Sequence, residues 1–237
     1  MSVDCLAIAA HPDDLEITSG GLIRKLVERG NRVAMLEMVA GEAGTAGSAD
    51  IRAQEAACAA EVLGASERLN LGLADAHLLP DLQTRAALAQ KIRDLKPQLV
   101  ILPYWEQRHP DHRVTCEVGY DACFYAGLSK AKLDGEPHRP RKIIYSTYYA
   151  TSAPAQFAVD ISDQFERKLE AIRCYKSQFP VDGAPNRVFI PGVDIFEYVR
   201  LRDRELGIRI RVGYAEGYVQ KDLLAIDDPM QLGGVSI

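Results

Sequence analysis

Apolar residues in this chain occur in short runs that alternate with segments of helical spacing. Residues 3–10 form a mostly apolar run without polar alternation, which is typical of a strand covered on both faces of a parallel sheet. Residues 11–17 are polar and are predicted to form a loop, while residues 19–29 carry apolar side chains at helical spacing before Gly30. The start of the chain therefore predicts one βα unit.

The same alternation continues along the chain. Further strands are predicted at residues 32–40, 68–71, 99–102, 143–149 and 157–161. Further helices are predicted at residues 51–63 (with Asp50 as the N-cap), 81–95, 112–126, 163–175 and 194–206, and no element is predicted after residue 209. No repeat or shift in composition marks a domain boundary. We therefore expect residues 1–237 to form a single three-layer α/β domain with a Rossmann-like, mostly parallel sheet.

Composition and charge exclude several classes of function. The formal net charge is −5 and no Lys/Arg-dense run occurs, so a nucleic-acid partner is not expected. The N-terminus has no leader pattern and nowhere do 18 apolar residues run together, so we expect no membrane partner and a cytoplasmic location. The five cysteines include no C-x-x-C pair and are predicted to be reduced, with Cys116 and Cys123 packed as small apolar residues.

Two clusters of histidine and aspartate are the main candidates for chemistry. A-H-P-D-D-L-E at residues 10–16 follows the first predicted strand, and R-H-P-D-H at residues 108–112 follows the strand at residues 99–102. A local turn is the alternative for either cluster alone. Because ligands of open α/β sheets bind beyond the carboxyl ends of the strands, we expect His11, Asp14, His109 and His112 to converge.

The residue types in these clusters favour a metal ion over a nucleotide. Two imidazoles and one carboxylate with an open coordination position form a catalytic zinc set, which His11, Asp14 and His112 can supply. Asp13 then remains available as a general base. The first βα turn lacks G-x-G-x-x-G, and two adjacent aspartates would repel a pyrophosphate, so no nucleotide cofactor is expected.

Other polar residues allow more than one interpretation. His77 and His138 lie in predicted loops without paired acids, which favours solvated or locally hydrogen-bonded rings. The glycine-rich segment at residues 41–48 is either merely flexible or contacts a substrate, and Glu42 is its only charged residue.

With these motifs, the sequence resembles the PIG-L/LmbE-like zinc deacetylases. The matching motifs are A-H-P-D-D at residues 10–14, G-E-x-G-T-x-G at residues 41–47 followed by Arg52, N-L-G-L at residues 70–73 and H-P-D-H at residues 109–112. The chain further resembles the branch that deacetylates N-acetylglucosaminyl-malate in bacillithiol biosynthesis. The motifs for that branch are Y-K-S-Q-F at residues 175–179, Y-A-E-G-Y at residues 214–218 and L-G-G at residues 232–234.

The resemblance implies a fold, a cofactor and a reaction. Zinc would be bound by His11, Asp14 and His112, with Asp13 as the general base and His109 as an electrostatic or general-acid partner. The substrate would carry an acetamido group on a glucosamine, hydrolysed to the free amine and acetate. A homo-oligomer, such as a hexamer, is also implied.

One feature of the family pattern is not matched. Family members are proposed to use a tyrosine of the C-terminal region at the oxyanion, and this chain reads Val-Asp-Ile-Phe at residues 193–196. Tyr198 is a nearby candidate for that role.

Arginines at the predicted strand exits are candidates for substrate binding. Malate carries two carboxylates, and guanidinium groups bind carboxylates with paired hydrogen bonds. Arg52 and Arg108 are therefore expected to bind the substrate, together with Glu42 of the glycine-rich segment. The alternatives are that Arg52 pairs with Glu55 on its own helix and that Arg108 lies in solvent.

Two other functions remain open at this point. The same chemistry could act on an inositol glycoside, another N-acetylglucosaminide or a thiol conjugate. The chain could also be a metal-binding protein without turnover, although a closed structural site would have no use for a spare base such as Asp13.

Overall fold

The computed structural model describes residues 2–150, 153–179 and 194–233. Within these ranges, seven strands form one sheet in the order β3-β2-β1-β4-β5-β7-β6. The strands are β1 (Cys5–Ala9), β2 (Val33–Val39), β3 (Glu67–Leu73), β4 (Leu99–Pro103), β5 (Lys142–Ser146), β6 (Phe157–Asp160) and β7 (Ala215–Val219). The α-helices are α1 (Asp14–Glu28), α2 (Ala49–Leu63), α3 (Leu82–Leu95), α4 (Pro110–Ala126), α5 (Phe165–Arg173) and α6 (Ile195–Arg209).

The sheet is mostly parallel, as predicted. Strands β1 to β5 pair in parallel, while β7 runs antiparallel to β5 and to β6. The chain proceeds from β1 outward to β3 and then returns to place β4 on the other side of β1. The strand order therefore reverses between β1 and β4, which is the switch point where open α/β sheets bind ligands.

Helices cover both faces of the sheet. Alternate residues of β1 point to opposite sides, so Cys5 and Ala7 pack in one hydrophobic cluster and Leu6 and Ile8 in the other. The first cluster includes residues of α1, α2, α5 and α6, and the second includes residues of α3 and α4. Burial on both faces explains why β1 is apolar throughout and confirms the three-layer α/β fold.

Three local predictions were wrong. Helix α1 begins at Asp14, so most of the segment predicted as a loop is helical. Helix α2 is capped by Ser48, whose hydroxyl accepts a hydrogen bond from the Ile51 N–H, and not by Asp50. Strand β7 was missed because its sequence, A-E-G-Y-V, contains a glutamate and a glycine, although every residue of the strand is buried.

The cysteine prediction also needs correction. Cys58 of α2 and Cys174, directly after α5, form a disulfide between residues 116 positions apart. The packing of α2 against α5 brings their Cα atoms to 6.0 Å, within the range that a disulfide spans. Cys116 and Cys123 are buried free thiols in α4, packed in the core as predicted.

No described helix combines the length and the apolar character needed to cross a membrane.

Candidate active site

The two histidine–aspartate clusters meet at the switch point of the sheet. Strand β1 leads into His11, and the segment after β4 leads into His112 on α4. Nδ1 of His11 lies 3.3 Å from Nε2 of His112, and Oδ2 of Asp14 lies 3.4 Å and 3.2 Å from these two atoms. These three atoms, termed here the ligand triangle, form a nearly equilateral arrangement.

The ligand triangle has the dimensions of a zinc site. With bonds of ~2.0 to 2.1 Å, the ligand atoms of a tetrahedral zinc ion are about 3.3 Å apart. Burial opposes ionisation of Asp14, but the charge of His112 and hydrogen bonds from both histidines hold its pKa well below the ordinary value. Asp14 is therefore ionised, as a metal ligand must be. His109 also lies close enough to join His11 and His112 around an ion.

Polar side chains behind the histidines orient both rings. Nδ1 of His112 donates to Oε1 of Gln107 at 2.7 Å, which leaves Nε2 as the ligand atom. Nε2 of His11 lies 3.2 Å from Oδ1 of Asp75 and 3.5 Å from Oδ2 of Asp111, which leaves Nδ1 as the ligand atom. Each ring therefore turns its other nitrogen toward the triangle.

Gln107, Asp75 and Asp111 were not predicted as site residues. The signal that could have found them is position, because Asp75 follows β3, and Gln107 and Asp111 follow β4. These are polar side chains at strand exits on the same edge of the sheet.

Negative charge around His11 favours a cation at this point. Burial alone would lower the pKa of His11, but hydrogen bonds to Asp111, Asp14 and Asp75 outweigh it and raise the pKa to about 12. The same field of carboxylates attracts a divalent metal ion. The donor set and its charge thus both fit a metal.

Asp13 stands apart from the ligand triangle. It occupies the N-cap position of α1 with a φ of +103°, and its side chain caps no N–H of the helix. A non-glycine residue in this region costs of order 1 to 3 kcal/mol and is found most often at functional sites. Burial raises the pKa of Asp13 to about 8, against the opposing charge of Arg52. The strained backbone therefore places the Asp13 carboxylate beside the ligand triangle but not within it.

His109 presents a hydrogen-bond donor. At the N-cap of α4, its Nδ1 accepts a hydrogen bond from the Asp111 N–H at 3.2 Å, so its other nitrogen, Nε2, carries the hydrogen of the neutral ring. Burial and the charges of His11 and His112 lower its pKa and favour that neutral form. The ring centroid of His109 lies 4.7 Å from that of His11 and 4.9 Å from that of His112.

The cavity above the triangle has a volume of about 590 Å³, which suits a small-molecule ligand. Asp13, His109 and Arg108 line it together with Ala43, Gly44 and Thr45 of the glycine-rich segment. Two tyrosines also line it, namely Tyr198, which was a sequence candidate, and Tyr149, which was missed. Tyr149 packs against His112 with ring centroids 5.5 Å apart.

The three predicted substrate-binding residues lie in different environments. Arg108 is exposed on the cavity wall. Glu42 is exposed, and its Oε1 accepts a hydrogen bond from the Asp75 N–H at 2.8 Å. Arg52 is buried against Asp13, with Nη2 of Arg52 and Oδ2 of Asp13 3.2 Å apart, whereas Glu55 accepts hydrogen bonds from Ser177.

Both histidines outside the clusters are hydrogen-bonded to backbone carbonyls, locally for His77, as expected, but to a residue 41 positions away for His138. Nδ1 of His77 donates to the carbonyl oxygen of Asp75 at 2.8 Å, and Nε2 of His138 donates to that of Pro97 at 2.7 Å.

Fold and site together define an α/β protein with a histidine–aspartate cluster that has the geometry of a metal site, at the switch point of a mostly parallel sheet. A family model described as PIG-L, GlcNAc-PI de-N-acetylase, matches residues 6–123, which include both clusters. The diacetylchitobiose deacetylase of Thermococcus kodakarensis is 36% identical over 194 residues, which are 75% of this chain and 70% of that protein. The chain belongs to the PIG-L family, whose members are N-deacetylases.

Two crystal structures extend the similarity beyond the matched half. A conserved protein of Thermus thermophilus has a TM-score of 0.84 at 32% identity, over 95% of this chain and 98% of that chain. The N,N'-diacetylchitobiose deacetylase of Pyrococcus horikoshii, in complex with an inhibitor, has a TM-score of 0.78 at 30% identity, over 92% of this chain and 83% of that chain.

Proposed function

We propose that this protein is a zinc-dependent hydrolase that converts N-acetylglucosaminyl-malate to glucosaminyl-malate and acetate, a step of bacillithiol biosynthesis. The observation that carries the proposal is a ligand triangle with sides of 3.2 to 3.4 Å beside a carboxylate that is not part of it. The proposal includes a cytoplasmic homo-oligomer, such as a hexamer, as the sequence resemblance implies.

His11, Asp14 and His112 would hold the zinc ion. When bound, such an ion acts as a Lewis acid that lowers the pKa of water from ~15.7 towards ~7 and polarises a carbonyl oxygen. The open side of the triangle faces the cavity, where an acetamide can enter. A metal that served only the structure would take a fourth protein ligand, and His109, the residue within reach, is assigned instead to the carbonyl oxygen of the substrate.

Asp13 and His109 would move the protons and stabilise the charge. Asp13 takes a proton from the water that attacks the acetyl carbonyl carbon, while Nε2–H of His109 donates a hydrogen bond to the carbonyl oxygen as it becomes negative. The C–N bond then breaks as Asp13 returns this proton to the amine nitrogen, and acetic acid, which ionises to acetate, leaves with the free amine. No covalent bond to the protein is needed.

Recognition of malate is assigned to the cavity wall. Arg108 is exposed there, so its guanidinium can pair with a carboxylate of a bound ligand. Glu42 is proposed to shape the same subsite through its hydrogen bond to the Asp75 N–H. Tyr198 and Tyr149 line the same cavity and are proposed to offer aromatic ring surface to the sugar.

A second candidate substrate is N,N'-diacetylchitobiose. The observation that favours it is the similarity to the proteins of Thermococcus kodakarensis and Pyrococcus horikoshii that bear this activity in their names. The chemistry at the acetamide is the same, and the difference lies in whether the neighbouring group is a sugar or a dicarboxylate.

One assay addresses both the reaction and the substrate. The protein, stripped of metal with a chelator and reloaded with zinc, is incubated with N-acetylglucosaminyl-malate, N,N'-diacetylchitobiose or N-acetylglucosamine, and acetate is measured. We expect acetate release after zinc loading, with the highest kcat/KM for the malate glycoside. Preference for the disaccharide would establish the second candidate, and no release from any substrate would reject the proposed deacetylation.

A further inference from the structure

Arg52 has contacts that the proposed mechanism does not use. Its residue exposure is 4%, although it borders the cavity. Nη1 donates to the carbonyl oxygen of Gly41 at 3.3 Å, while Nη2 contacts the carbonyl oxygen of Pro12 and Oδ2 of Asp13. The remaining nitrogen, Nε, is buried and has no hydrogen-bond partner among the described residues. Both terminal nitrogens are therefore occupied by protein oxygens, and two of these oxygens belong to the general base or the residue before it.

Asp13 is a residue that needs external support. Its φ of +103° is unfavourable for a side chain with a Cβ, and no hydrogen bond to α1 holds its carboxylate. Strained conformations persist only where surrounding contacts over-determine them. Arg52 supplies such contacts on both sides of the strained Asp13 backbone. It contacts the Pro12 carbonyl oxygen before this backbone and the Asp13 carboxylate after it.

The glycine-rich segment is built around the same guanidinium. Gly41 has a φ of +78°, and a Cβ at this position would collide with Nη1 of Arg52. A Cβ at Gly44 would lie 3.3 Å from the same nitrogen. Since residues 43–45 line the cavity, Arg52 connects the wall that faces a substrate to the base that activates water.

We propose that Arg52 is a positioning residue, which fixes the Asp13 carboxylate in its reactive orientation and sets the glycine-rich segment against it. This role differs from the substrate-binding role expected from sequence, and it rests on the proposed deacetylation. A substrate-binding arginine acts mainly on KM, whereas an arginine that acts through the base acts on kcat.

The test compares Arg52→Ala and Arg52→Lys with Arg93→Ala. Arg93 is a matched control because it is also buried and donates to backbone carbonyls outside the cavity lining, namely those of Ala126, Leu128, Leu133 and Gly135. For Arg52→Ala we expect kcat to fall roughly 10- to 100-fold with less than about threefold change in KM. Metal content should stay native, and millimolar guanidinium ion should restore part of kcat.

Arg52→Lys should lose less kcat than Arg52→Ala, since lysine keeps the charge although it lacks the planar guanidinium group. Arg93→Ala should unfold more easily but keep its kcat and show no guanidinium response.

A double-mutant cycle with Asp13→Asn decides whether Arg52 acts through the base. If it does, adding Arg52→Ala to Asp13→Asn should lower kcat by less than about threefold, because the group it positions is already gone. The same four proteins should show coupling in their free energies of unfolding. A rise in KM at unchanged kcat, or losses that multiply independently, would overturn the positioning role. If the wild type released no acetate, the proposed function would be rejected instead. The free energies of unfolding of the four proteins would then still test the contact between Arg52 and Asp13, because an absence of coupling in them would refute that contact.

Discussion

Nδ1 of His11 and Nε2 of His112 lie 3.3 Å apart, although 101 residues separate the two histidines. Each ring is held by a polar side chain behind it, Asp75 for His11 and Gln107 for His112, so the other nitrogen of each ring faces the same point. This relationship underlies the proposed metal site and leads to the first two predictions.

The change His112→Ala should lower metal content and activity together, because it removes one of three protein ligands. Zinc per protein chain, measured by elemental analysis, should fall well below that of the wild type. His138→Ala is the control, since His138 bonds to the Pro97 carbonyl oxygen outside the cavity lining. Full zinc occupancy in His112→Ala would remove His112 from the coordination sphere.

The change Gln107→Leu should weaken metal binding without removing a ligand. Nδ1–H of His112 would lose its acceptor, and loss of such a partner typically costs about 10- to 100-fold in metal affinity or activity. Competition with a chromophoric chelator measures the affinity. An affinity equal to that of the wild type would show that α4 alone holds the ring in place.

Asp13→Asn should lower activity without lowering zinc content, unlike the change to a metal ligand. The three ligands remain, so zinc content should be near native, while kcat should fall by roughly 10² to 10⁴ because the general base is lost. Zinc content and initial rates of acetate release are measured on the same preparation. Unchanged kcat with bound zinc would contradict the role of Asp13, and Asp81→Asn on the surface of the protein provides the control.

Arg108→Lys should discriminate between substrates. Lysine keeps the charge but loses the planar fork that pairs with a carboxylate, so KM for N-acetylglucosaminyl-malate should rise more than KM for N-acetylglucosamine. Steady-state kinetics on both substrates provide the comparison. Equal losses on the two would place Arg108 in the sugar site or the scaffold.

Gly41→Ala should displace the Arg52 guanidinium while leaving Arg52 in the chain. We expect a lower kcat and a loss of stability, because the new Cβ would occupy the place of Nη1 and the backbone has a φ of +78°. Gly135→Ala is a matched control, with a φ of +76° and nothing within 4 Å of the added Cβ. Both variants should lose about 1 kcal/mol or more of stability from backbone strain. If Gly135→Ala lowered kcat as much, the effect would not report on Arg52.

Local pattern was enough to predict the central sheet and the residues of the ligand triangle. Strands β1, β2 and β4 are apolar runs because both of their faces are buried, so they can be recognised without any knowledge of their neighbours. His11 and Asp14 are three residues apart and follow a strand directly, and His112 lies in a motif after a second strand. The rule that ligands bind at the carboxyl ends of strands then brings the two segments together.

The tertiary structure decided what surrounds these residues. The contacts of Asp75 with His11, of Arg52 with Asp13 and of Cys58 with Cys174 join side chains 64, 39 and 116 positions apart. Such pairings depend on how helices cross the sheet and on the path of the segments between them, and no local periodicity encodes either. Strand β7 is buried at the interior of the sheet with Glu216 satisfied by Lys168 and by N–H groups of α1. Because a buried ion pair removes the apolar signature of a strand, only the fold could reveal it.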